Sequence, residues 1–221
     1  YGNGVRRYVS TISVLYMLCF LTAELTAIGA ITSLLSGIDG GIVVIGVAIT
    51  TLVYTAVGGL RASIVTDQWQ ALLLIGLLAI VSFVAVGKLP DAAPAALPDI
   101  PASAALSVAL TLVIAVTAAN LFHQGYWQRL WSARDTDALS RGALLGGVVT
   151  IAVVAVVGGL GILAAMSGAD LGSPPIPFFA LLADAPAWLA LPALILAITL
   201  VASSVDTLQN ALASLAVTEK Q

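Results

Sequence analysis

The chain has 221 residues, of which 60% are hydrophobic and 9% charged, with a formal net charge of −3 and a mean hydropathy of +1.09. That composition excludes an ordinary water-soluble domain and is that of a membrane protein. No Lys/Arg-rich patch offers a footprint for nucleic acid, and the single cysteine, Cys19, lies inside an apolar run, which excludes a disulfide framework or a cysteine metal cluster.

About twenty helical residues at 1.5 Å each cross a hydrocarbon core of about 30 Å. Six apolar runs approach or exceed that length, at 8–36, 41–57, 66–87, 104–124, 142–167 and 186–217. The expected fold is therefore all-α, a single multi-pass transmembrane domain over 1–221 with six transmembrane helices. The chain opens at Tyr1, part-way into basic sequence, and shows no signal peptide, so it is expected to be an internal segment of a longer protein.

The first run follows Arg6 and Arg7 and closes at Gly37, Asp39, Gly40 and Gly41. Within it, Glu24 falls near the bilayer midplane, where a charge costs roughly 2.5 to 3.5 kcal/mol and requires a partner or a wet cavity. Two readings of Glu24 stand: a group that binds solute, ion or proton, or a structural carboxyl joining two helices. The second run ends in the stretch 54–70, YTAVGGLRASIVTDQWQ, where Gly58 and Gly59 mark a turn and Thr66 or Asp67 is placed to cap the third helix. Pro90, Pro94, Pro98 and Pro101 then define a non-helical linker over 88–103, outside the hydrocarbon.

The fourth run ends with Asn120, Phe122, His123 and Gln124, and Tyr126, Trp127 and Trp131 after it suit an interfacial aromatic belt. In the fifth, Gly142 and Gly146 have the i, i+4 spacing of close helix packing, and Pro174, Pro175 and Pro177 break the chain beyond it. The sixth carries Thr199, Ser203, Asp206, Thr207, Asn210 and Ser214 at intervals of three and four. At 100° per residue they form one polar stripe, the pattern of a helix lining a cavity or ion path. Every lysine and arginine except Lys88 falls on one side of the six-span arrangement, which places both ends in the cytoplasm.

Tyr54, Gly58, Gly59, Leu60, Ala62, Thr66, Asp67 and Gln70 stand at the spacing of the signature loop of the sodium:solute symporters, and the chain resembles that family of sodium-coupled sugar, proline and pantothenate carriers. The resemblance implies a LeuT-type core of two inverted five-helix repeats, of which this chain corresponds to core helices three to eight. Asn120, Leu121 and Phe122 resemble the segment in which an asparagine contacts the solute. Asn120, Phe122 and His123 are therefore substrate-binding candidates, with Glu24 added for its place near the midplane; for His123 the alternative is a hydrogen-bonded interfacial histidine. Ser203 and Ser204, followed by Val205, Asp206, Thr207 and Asn210, resemble the eighth core helix, where paired hydroxyls hold sodium. Leu200 is a candidate carbonyl ligand one turn earlier, and Asp67 would attract the ion near its cytoplasmic exit. The serines would otherwise bond back to the preceding turn of their own helix.

The function so implied is sodium-coupled symport of a small organic solute by alternating access in the cell membrane, with the solute, sodium and the lipid bilayer as partners. A symporter-like sensor domain of a signalling protein is the second reading. An intramembrane enzyme needs a nucleophile beside a base or a metal, but His123 and Cys19 lie on different runs. No catalytic residue, cofactor or metal other than sodium is expected, and no continuous channel filter can be read.

Overall fold

The computed structural model describes residues 2–87, 101–168 and 170–218. Among these the structure is all-helical: α1 (Asn3–Ser36), α2 (Gly40–Gly87), α3 (Ala102–Asn120), α4 (Gln124–Trp131), α5 (Thr136–Met166), the single turn α6 (Pro177–Ala180) and α7 (Ala187–Thr218). Five of the described helices, α1, α2, α3, α5 and α7, are long and apolar enough to cross a membrane. They expose large apolar side chains such as Ile42, Phe83, Ile114, Leu144 and Ile151. Such a surface is matched to lipid rather than to water, and the protein is a multi-pass membrane protein.

Between lipid-embedded helices the hydrophobic effect supplies little, so close packing and polar contacts decide what associates. Helix α7 is the centre of that packing, lying along both α1 and α2. At one end Leu189 and Ala193 meet Leu78 and Val81 of α2, Leu160 of α5, and Phe178 and Leu182. Midway, Ala197, Val201 and Val205 pack on Ile28 and Ile31 of α1 and Val47 of α2. Towards the other end Leu208 and Ala211 enclose Met17. None of the residues of α3 is buried.

Helix α2 contains one non-helical residue, Gly59, at φ 54° and ψ −152°. That conformation is essentially confined to glycine, and a Cβ on Gly58 would collide with the Ala62 methyl. The glycine pair is thus required by a change of direction. Tyr54 and Ser63 would be about 13 Å apart along a straight helix, yet both hydrogen-bond to the one carboxylate of Asp206. The chain therefore turns back at Gly59, so that its two halves run against α7 in opposite senses.

Several local expectations are corrected. Helix resumes directly after Gly59, so Thr66 and Asp67 lie inside α2 and cap nothing. Thr66 instead bonds back to the carbonyls of Ala62 and Ser63. The fourth run stops at Asn120, because Leu121, Phe122 and His123 form a tight turn of i→i−3 hydrogen bonds. The polar segment beyond it is largely helical: it holds α4 and the start of α5, whose first turn is capped by the Asp135 carboxylate accepting the Ala138 N–H. A Cβ at Gly142 or Gly146 would meet nothing within 4 Å, so among the described residues these glycines mediate no close crossing. The linker 88–103 falls mostly outside the described residues, and its end is already helical from Ala102.

Candidate cation and solute site

Four elements meet around a cavity of about 260 Å³, lined by Phe20 of α1, Asp67 of α2, His123, Tyr126 and Arg129 of α4 and its leading turn, and Ser203, Ser204 and Thr207 of α7. The polar stripe of α7 places Ser203 and Thr207 one turn apart on the same side of the helix, with Ser204 beside them.

Neither serine is spent on its own helix. Ser203 Oγ donates to Asp67 Oδ1 at 2.6 Å, and the Ser204 hydroxyl lies beside the half-buried Glu24 carboxyl of α1. The pair therefore reaches two carboxylates on two different helices. The other oxygen of Asp67, Oδ2, accepts from Arg129 Nη2 at 2.5 Å. That nitrogen also donates to Thr207 Oγ1 at 2.7 Å and to Ser63 Oγ at 3.1 Å.

Behind this layer lies Asp206, 0% exposed. Its Oδ2 accepts from the Tyr54 hydroxyl at 2.5 Å and its Oδ1 from Ser63 at 2.8 Å, while Thr207 Oγ1, 3.1 Å from Oδ1, shares its one proton with the nearer Ser203 carbonyl at 2.8 Å. A buried carboxylate with a hydroxyl donor on each oxygen is hydrogen-bonded throughout, whereas an unpaired one would be prohibitively costly. Ser63 and Thr207 each serve both acids' surroundings, so Asp67, Arg129 and Asp206 belong to one network joining α2, α4 and α7.

Helix α4 is held against α7 by a glycine: a Cβ on Gly125 would lie 2.6 Å from Thr207 Cγ2 and 3.0 Å from His123 Cε1. One helical turn later Arg129 is thereby carried over Asp67. The His123 ring, 3% exposed, stacks on Tyr126 at a centroid distance of 4.1 Å and meets Tyr16 and Phe20 edge-on at 6.2 and 6.1 Å. His123 Nδ1 and Arg129 Nη1 are buried without a hydrogen-bond partner among the described residues. Buried unpaired polar atoms are uncommon, and both belong to the cavity wall.

Of the residues singled out in the sequence, Asp67, His123, Ser203 and Ser204 line the cavity, and Glu24 joins it through Ser204. Asn120 lies to one side, its Oδ1 accepting from Tyr16 at 3.3 Å, and Phe122 is outside the lining. Leu200 sits one turn before Ser204 in unbroken helix, so its carbonyl is engaged along the helix and has only a second lone pair to offer. Tyr126 stacks on His123 and Trp127 donates through Nε1 to the Leu121 carbonyl at 2.9 Å, yet both are exposed, as is Trp131. Sequence reasoning missed Ser63 and the partnership of Arg129 with Asp67. An arginine among other loop cations carries no mark of an acid 62 positions away.

An acid, an arginine and several hydroxyls walling a cavity within apolar helices are costly in a membrane and characterise proteins that move polar solutes or ions. Among curated proteins the chain is similar to the spermidine transporter DUR31 of Candida albicans (strain SC5314 / ATCC MYA-2876), 29% identical over 222 residues that make up 97% of this chain and 42% of that protein. The chain thus spans about two fifths of the length of this relative. No family model and no solved structure matches it. The relative is a transporter, and the apolar helices of this chain agree with a place in a membrane.

Proposed function

We propose that the chain is the central part of a secondary transporter of the sodium:solute symporter type, which carries a small organic solute with sodium by alternating access. The observation that carries this reading is the serine pair: Ser203 and Ser204 point their hydroxyls at Asp67 of α2 and Glu24 of α1. Ser203 uses its one proton on the Asp67 carboxylate and keeps its oxygen lone pairs, and with the Ser204 hydroxyl and the nearby carboxyls this forms the kind of environment a small hard cation takes. On this reading the two halves of α2 on either side of Gly59 are separate spans, giving six in all and corresponding to core helices three to eight of a LeuT-type fold. Both chain ends are then cytoplasmic. Sodium binds at Ser203, Ser204 and the Leu200 carbonyl and leaves past Asp67, while His123, Tyr126 and Phe20 face the solute. Aromatic faces with carboxylates nearby also suit an amine, which makes spermidine, the solute named for the relative, a member of the test panel.

The test is uptake by the full-length protein of spermidine, sugars, amino acids, carboxylates and ureas, with sodium replaced by choline or lithium. Uptake of one class that collapses in choline is expected. Uptake indifferent to the replacement would overturn sodium coupling.

A further inference from the structure

Helix α4 touches the rest of the molecule chiefly along α7, and its one charged anchor is Arg129. That side chain makes a single nitrogen serve Asp67 and Ser63 of α2 and Thr207 of α7. Its base is the Leu121–His123 turn, and its fit depends on Gly125, where any side chain would strike Thr207. We propose that α4 is a latch: Arg129 closes the cavity by gripping Asp67, and a cation at the serine pair releases it.

The release follows from the sharing of one carboxylate. Asp67 gives Oδ1 to Ser203 and Oδ2 to Arg129, so a cation bound at Ser203 and the guanidinium draw on the same negative charge. With both present, two positive charges compete for one acid and each weakens the hold of the other. Binding couplings are reciprocal: the cation loosens α4, and closure of α4 drives the cation off. Arg129 is thus a positioning residue that ties the state of the ion site to the opening of the cavity. The control by a cation rests on the function proposed above, whereas the latch itself rests on the geometry alone.

The experiment places a reporter thiol in the cavity wall of the full-length protein, Phe20→Cys in a Cys19→Ala background, and measures its labelling by a charged methanethiosulfonate reagent. Arg129→Gln should speed labelling about tenfold, within the range for coupled sites. Gly125→Ala should do the same while leaving every charge in place, which keeps the test decisive should Arg129→Gln fail to fold. Arg129→Lys, which retains a single charged contact, should fall between. Sodium should speed labelling when Arg129 is present and add nothing to Arg129→Gln. Labelling unchanged in both Arg129→Gln and Gly125→Ala would overturn the latch; faster labelling in the variants with no sodium effect in the parent would overturn its control by sodium. Sodium-independent uptake in the separate assay would instead count against the sodium reading, and the labelling comparison would still decide the latch.

Discussion

Ser203 and Ser204 each touch a different acid, which turns their removal into a directional probe. Ser203→Ala frees Asp67 Oδ1, and Ser204→Ala removes the hydroxyl that lies beside the Glu24 carboxyl. A hydrogen bond to a charged group is worth roughly 1.5 to 3 kcal/mol, so loss of one ligand oxygen should lower the apparent sodium affinity about tenfold or more. Solute affinity should fall only at limiting sodium, because saturating sodium refills the weakened site. Uptake measured against sodium concentration checks this, with Ser203→Thr as the variant that keeps a hydroxyl. Small and equal shifts in both alanine variants would reduce the serines to helix anchors. The stripe containing these residues was legible because helical periodicity alone brings positions three and four apart together. Tyr54, Ser63 and Arg129 were not legible as partners of the two acids, since a contact between helices leaves no trace in local spacing.

Two element boundaries lend themselves to measurement. Gly59, at φ 54° and ψ −152°, holds the turn that brings Tyr54 and Ser63 to one carboxylate. A side chain there should cost about 1 to 3 kcal/mol, so Gly59→Ala should lower the thermal midpoint in detergent, whereas Gly142→Ala, with open space around its Cβ, should leave it nearly unchanged. The N-cap of α5 supplies a pH test. The Asp135 carboxyl lies below its ordinary value of 3.8 because it accepts the Ala138 N–H and, secondly, a bond from Arg134. Folding thus favours the ionised form: the cap is complete above the ordinary value and is lost as pH falls beneath it. Exchange of the Ala138 amide, corrected for its intrinsic rate, should lose protection as the pH falls below the ordinary value of 3.8, and Asp135→Asn should remove that pH dependence. The cap itself follows a familiar pattern of an acid three residues before the amide it binds, but the apolar run beyond it masked where the helix begins. Conversely, Thr66 and Asp67 resemble a cap in sequence and fail as one, because a single glycine turn lets helix resume before they are reached.

At the scale of the whole molecule, hydropathy reveals which stretches are apolar enough to enter lipid, but it does not distinguish one broken helix from two spans. The stretch Gly40–Val84 is about 68 Å long if straight, at 1.5 Å per residue, more than twice a hydrocarbon core. The Gly59 break and the shared grip on Asp206 argue that it crosses twice. The two arrangements differ at one place that can be tested without knowing which side is cytoplasmic. If α2 crosses twice, three crossings separate Asp39 from the α4–α5 turn, two by α2 and one by α3, leaving an odd number of spans between Asp39 and Ala133. If α2 crosses once, only α2 and α3 intervene, and the number is even. Small tags inserted after Asp39 and after Ala133 should therefore be reached by impermeant labels from opposite faces of the membrane. Protection of both from the same face would mean that α2 is a single, steeply bent span, and the six-span reading would fall with it. The positive charges agree with the first outcome: Arg6 and Arg7 at the start of α1 and Arg134 and Arg141 around the start of α5 come to lie on one side only when α2 crosses twice.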